Sequence, residues 1–164
     1  MIVDAIKKRL VLIIGAPALA LVMVQVPRME GTILRGYTDP IGIVTACTGH
    51  TATAVLGRPY TPQECDKLLM QDLLAHAEPV VACVGPLPTG QMAAAVSFAF
   101  NVGAPTFCRS TFARKLRDKA PDACDELSRW VMAGGKDCRH VSSNCAGIVE
   151  RRKIERAMCL GEVT

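Results

Sequence analysis

Residues 10–26 form an uncharged, mostly apolar run of seventeen, preceded by Lys7-Lys8-Arg9 and closed by Pro27-Arg28. A stretch of this kind cannot stay in water and must end in a bilayer or in a protein core. As one helix it would extend about 25 Å at 1.5 Å per residue, a little short of a roughly 30 Å hydrocarbon layer. The basic cluster ahead of it favours an N-terminus in the cytoplasm and the rest of the chain outside. Gly15, Ala16, Pro17, Ala18, Ala20 and Gln25 dilute the run, so insertion is marginal and escape is conceivable. Three fates compete: a removed signal peptide with Ala18-Leu19-Ala20 as the cleavage site, a retained and weakly held anchor, or a buried core helix. The basic flank and the terminal position argue against the third.

The cysteines constrain the remainder. Cys47, Cys65, Cys83, Cys108, Cys124, Cys138, Cys145 and Cys159 are an even set without a Cys-x-x-Cys pair. In a chain with an export segment they read as disulfides rather than as zinc or redox chemistry. Cys138 and Cys145 bracket a polar, hairpin-like stretch, which predicts a local bridge, and a further bridge is expected to tie Cys124 or Cys159 to the C-terminal helices. The net charge of +4 suits an anionic polymer. With no Lys/Arg run interleaved with aromatics and no zinc-finger spacing, nucleic acid is a poor fit as a partner. At 164 residues the length calls for one core.

Along the chain, Thr61-Pro62-Gln63-Glu64 is a capping box with proline in the first helical turn. The following pattern predicts an amphipathic helix to about Ala77, closed by Pro79. Residues 91–100 read as an apolar core helix with Asn101 and Gly103 at its end, and Ser110 or Thr111 caps a short helix through Arg117. Residues 121–132 read as another helix, broken by Gly134-Gly135. A last one covers about 147–158, with Glu150-Arg151-Arg152 expected on its surface.

Between the apolar run and these helices stand Glu30, Asp39 and Thr45, at intervals of nine and six, followed by Gly49-His50. A glycosidase needs such groups: one carboxyl that keeps its proton to donate to a leaving oxygen, and a second carboxylate, helped by a hydroxyl, that holds water or stabilises positive charge on the sugar. Residues 41–45 read as a short strand after a Pro40 and Gly42 turn. His50 is read as a satisfied structural residue rather than a base, and Asn101 as a cap. Cys47 beside His50 makes a thiol enzyme the weaker alternative.

The Glu30, Asp39, Thr45 and Gly49-His50 pattern resembles the phage lysozymes of the T4 type, especially endolysins with an N-terminal signal-arrest-release segment. Two further blocks, 95–103 and 127–136 with 147–152, resemble the family's central helix with its Asn-x-Gly end and its C-terminal signature. Gly36, Thr38 and Thr48 depart from the residues common there. The resemblance implies an α+β, lysozyme-like fold, mostly helical with a small β-containing lobe and a glycan cleft between the lobes. It implies an anchor at 1–27, a catalytic domain at 28–164, and a muramidase acting on peptidoglycan glycan strands as a monomer, without metal or cofactor. Glu30 is then the acid, Asp39 the water-positioning base or electrostatic stabiliser and the Thr45 hydroxyl the holder of the attacking water; the resemblance implies inversion, with retention as the alternative outcome. Residues 10–26 would hold the protein to the host inner membrane, facing the periplasm, until release. The alternatives are a membrane-anchored cell-wall-binding module without hydrolytic activity and a lytic transglycosylase.

Overall fold

The computed structural model describes residues 2–163; Met1 and Thr164, the outer ends of the two expected regions, lie outside them. The apolar N-terminal run is not one straight rod. Helix α1 (Ile2–Ile14) and helix α2 (Ala16–Glu30) meet at an angle of 111°. Gly15 makes the corner with φ +85°, a left-handed value that side chains resist. Pro17 follows in the first turn of α2, where its missing N–H costs nothing. No single described helix is long and apolar enough to cross a membrane, although the bent pair meets the length and composition requirement together. Leu10, Ile14, Ala18, Leu19, Val22 and Val26 are buried in the same core as the later helices. The boundary expected at residue 27 therefore falls inside α2.

After Gly31, strand β1 (Ile33–Thr38) pairs antiparallel with β2 (Val44–Cys47), placing Tyr37 opposite Thr45 and Thr38 opposite Val44. Gly36 lies so close to the following loop that a Cβ would fall 1.9 Å from the Val55 carbonyl oxygen. The lobe has a small core of Ala46, Cys47, Tyr60 and Cys65, and the Cys47–Cys65 bridge staples β2 to the next helix.

That helix, α3 (Pro62–Val84), starts in the expected capping box, in which Glu64 N–H donates to Thr61 and Glu64 accepts from Thr61 N–H. It does not stop at Pro79. An interior proline costs about 3 kcal/mol, but Ala77, Val80 and Val84 are buried on either side of it and hold the last turn in place. Helix α4 (Thr89–Val102) is buried throughout its middle, from Met92 to Ala99, and α5 (Ala104–Arg109) and α6 (Thr111–Arg117) follow, the latter capped by Ser110 as expected. Phe98 sits edge-to-face with Phe107, Phe112 and Trp130 at the centre of the helical lobe.

The helix expected at 121–132 is instead a 3-10 helix, Ala123–Arg129. Its buried residues, Ala123 with Glu126 and Cys124 with Leu127, are three apart, the spacing that three residues per turn stacks on one side. Gly134-Gly135 then turns a short hairpin between β3 (Met132–Ala133) and β4 (Lys136–Asp137), and α7 (Ala146–Cys159) closes the chain. The four bridges are Cys47–Cys65, Cys83–Cys108, Cys124–Cys159 and Cys138–Cys145. Two answer the sequence expectation: the local 138–145 bridge, and a link of the 3-10 helix to α7. The architecture is α+β, mostly helical with a small β lobe.

Candidate active site

Glu30 is the last residue of α2, and its side chain keeps 27% of its surface exposed. It projects from the carbonyl end of the helix, where the backbone dipole is negative. The guanidinium of Arg151, on α7, donates from Nη1 to Glu30 Oε1. Two residues on, the Thr32 and Thr48 hydroxyls meet at 3.1 Å and fasten the start of the β lobe to the loop after β2.

Asp39 lies in the β1–β2 turn. Its Oδ1 accepts from the backbone N–H groups of Ile41 at 3.0 Å and Ile43 at 2.8 Å, which fixes the carboxylate in an Asx turn. Thr45, buried on β2, donates from Oγ1 to the Ile43 carbonyl at 3.2 Å. Both side chains are thus hooked onto Ile43, one through its N–H and the other through its C=O. Asp39 and Thr45 in this way share Ile43 as a backbone partner. Among the described residues no hydrogen bond joins Glu30 to either of them; Glu30 is held from the helical lobe.

His50 is buried and spoken for on both nitrogens. Thr53 N–H donates to Nε2 at 3.1 Å, which makes Nε2 an acceptor and leaves the proton on Nδ1, 2.9 Å from Asp72 Oδ2. This anchors the loop after β2 to α3, a structural role. Cys47 is bridged to Cys65, so no thiol is present for nucleophilic chemistry. No cluster of three or more His, Cys, Asp or Glu suited to a metal occurs among the described residues.

The arginines of α7 correct the sequence reading most. Arg151 and Arg152 are buried, not on the surface, because each has its charge matched inside. Glu155, with none of its surface exposed, accepts from Arg151 Nε at 3.0 Å, from Arg152 Nη1 and from Ser97 Oγ at 2.7 Å. Arg151 also reaches the Ser97 carbonyl at 3.0 Å, and Arg152 reaches the Trp130 carbonyl at 3.0 Å and Asn101 Oδ1. Burial lowers the Arg152 guanidinium below its ordinary value, with the Glu155 charge opposing. Asn101, expected as a cap, serves here as an acceptor for α7.

Comparison with known proteins follows the same outline. The model of the family described as phage lysozyme matches residues 27–155. The chain is 37% identical over 153 residues to SAR-endolysins of Bacteriophage PS119 and Enterobacteria phage P21, covering 89% of this chain in both cases and 87% and 88% of theirs. Among solved structures, a point mutant of P22 lysozyme superposes with a TM-score of 0.71 at 31% identity, over 85% of this chain and 94% of that one. The muramidase domain of SpmX from Asticaccaulis excentricus gives 0.75 at 28% identity, over 90% and 97%.

Proposed function

We propose, for a chain that belongs to the phage lysozyme family, that Glu30 is the general acid and that Asp39 and Thr45 hold the attacking water. The protein is a phage endolysin, a lysozyme-type glycosidase with a muramidase role in host lysis. The bond we assign to it is the β-1,4 linkage between N-acetylmuramic acid and N-acetylglucosamine in peptidoglycan. The observation that supports the assignment is the shared anchoring of Asp39 and Thr45 on Ile43, which ties a carboxylate and a hydroxyl to the same residue. Glu30 comes from a different support, the end of α2. In the inverting reaction we assign, water attacks one face of the sugar as the leaving oxygen departs from the other, which requires the two carboxyls about 6.5–9.5 Å apart.

A transglycosylase needs only the acid, and a binding module needs neither group, so the anchored Asp39–Thr45 pair supports hydrolysis over both. We take the active form to be a monomer. By the same reading, residues 10–26 tether the protein to the inner membrane before release, and the bent α1–α2 arrangement belongs to the released, periplasmic form. The test is to digest purified peptidoglycan and identify the new sugar ends by mass spectrometry. A reducing muramic acid end, absent with Glu30→Gln, is expected. An anhydro end would mean a transglycosylase, and full turnover by Glu30→Gln would remove Glu30 from the acid role.

A further inference from the structure

We propose that Glu155, out of contact with the cleft, sets the pH range of the enzyme by competing with Glu30 for Arg151. The inference rests on the reading of Glu30 as the acid. Arg151 is a shared cation: its Nη1 donates to Glu30 and its Nε donates to Glu155 at 3.0 Å. A general acid must carry its proton at the working pH, and a guanidinium devoted wholly to Glu30 would strip it. Glu155 divides that positive charge, and its own negative charge adds to the negative end of the α2 dipole.

The arrangement is built for this division. Glu155 is fully buried, and its Oε1 accepts from both Ser97 Oγ at 2.7 Å and Arg151 Nε, while Oε2 accepts from Arg152. Two carboxylates thus alternate with two guanidiniums in the order Glu30, Arg151, Glu155, Arg152. The surrounding charges are few. Helix α4, packed on both α2 and α7, carries no ionisable side chain. The 3-10 helix packed on α7 carries Asp125, paired with Arg156, and Glu126, paired with Lys115 and Arg129. Helix α1 contributes Asp4, itself engaged, with Lys7, Lys8 and Arg9, the last paired with Glu78; α2 itself adds Arg28, and α7 adds Glu150 paired with Lys153. Asp39, on the hairpin, is the remaining carboxylate of the site.

Glu155 is therefore a positioning residue, and its signature is the position of the alkaline limb of activity. In Glu155→Gln the amide keeps the shape and one acceptor but not the charge, so Arg151 turns fully to Glu30. The alkaline limb of kcat/KM should move to lower pH by about one unit, a roughly tenfold loss on that side. Ser97→Ala should do the reverse. With one donor removed, Glu155 Oε1 leans harder on Arg151, Glu30 is shared less, and the limb moves a few tenths of a unit to higher pH. Glu155→Asp, which keeps the charge, should restore the limb toward wild type.

The experiment is the pH profile of kcat/KM on solubilised peptidoglycan for the full-length wild type and these variants, with folding checked by thermal melts and Glu30→Gln as control. Opposite displacements by Glu155→Gln and Ser97→Ala support the proposal. If Glu155→Gln fails to fold, an upward displacement in Ser97→Ala supports it and an unmoved limb overturns it. A folded Glu155→Gln whose limb coincides with wild type overturns it while Glu30→Gln is dead. An active Glu30→Gln overturns instead the reading of the acid on which it rests.

Discussion

Removing the Cys47–Cys65 bridge should separate activity from global stability. The two cysteines are 18 apart, and the chain-entropy relation for a loop of that size gives about 3.2 kcal/mol at 25 °C. Cys124–Cys159 closes 35, for which the same relation gives about 3.8 kcal/mol. On loop length alone the second loss is the larger by about 0.6 kcal/mol. Their locations reverse the order for function. Cys47 lies two residues beyond Thr45, in a lobe whose buried apolar core is Ala46, Cys47, Tyr60 and Cys65, whereas Cys124 and Cys159 sit in the large core of the helical lobe. With so little else to hold it, the β lobe of Cys47→Ala/Cys65→Ala should open locally below the global transition. Melting by far-ultraviolet circular dichroism should fall by about 6–12 °C in both double variants. Peptidoglycan hydrolysis should fail well below the melting point in the first and persist up to it in the second. If the first variant also remained active up to its own melting point, the argument that the bridge holds Thr45 in place would be wrong.

Three other outcomes follow from the same structure. Asp72→Ala leaves the His50 Nδ1 proton buried without its acceptor, which should cost about 1–3 kcal/mol, and an unaltered melting point would show that the pair contributes nothing. In acid, the Arg139 guanidinium holds Asp137 well below its ordinary 3.8, and the Lys115 ammonium lowers Asp122 from its ordinary value. Values lower in the folded than in the unfolded chain mean stability that is complete above about pH 5 and lost as pH falls through the folded values, so melting temperature against pH should decline below about pH 4 and less steeply in Arg139→Gln. Replacing Gly15, Ala16 and Pro17 together with leucines should leave an intact, exported, membrane-bound and non-lytic protein that collapse of the membrane potential does not activate; lysis equal to wild type, or a wild-type N-terminus at Leu21, would refute this.

The parts of the site that could be read in advance are those written locally. The intervals among Glu30, Asp39 and Thr45, the Thr61–Glu64 capping box and the seven-residue Cys138–Cys145 loop each need only a few neighbouring residues to be recognised. What could not be read depends on charges meeting across the fold. Arg151 and Arg152 look solvated in a helix read alone, because their partners Glu30, Ser97, Asn101 and Trp130 lie 22 to 121 residues away. A signal did exist: Arg151, Arg152, Glu155, Met158 and Cys159 fall on one helical stripe, and an apolar end to a charged stripe marks a face turned inward. Pro79 misled for a related reason, since the penalty of an interior proline is local while the burial that outweighs it is tertiary. Asp72, on α3, gave no sign of pairing with His50 until the loop after β2 was laid against that helix.

Under the proposed tethering and release, the N-terminal segment has to suit two solvents, and its composition is consistent with that. Leu10, Ile14, Leu19, Val22 and Val26 are buried in the fold, and each would be equally at home in hydrocarbon, so these side chains do little to decide between the two environments. The deciding residues are the ones that behave differently in each. Gly15 turns the corner of 111° that the folded domain requires and a membrane-spanning rod does not. Pro17 is accommodated at the start of α2 but would interrupt a continuous helix, and Gln25 brings a polar amide that hydrocarbon disfavours. Glu30 stands four residues beyond Val26 on the same helix, so if residues 10–26 are first held in the bilayer as proposed, the proposed acid takes its place beside Arg151 only once α2 has left it and packed against α4 and α7. Coupling of release to activity is, on this reading, a consequence of putting the acid at the end of the helix that must move.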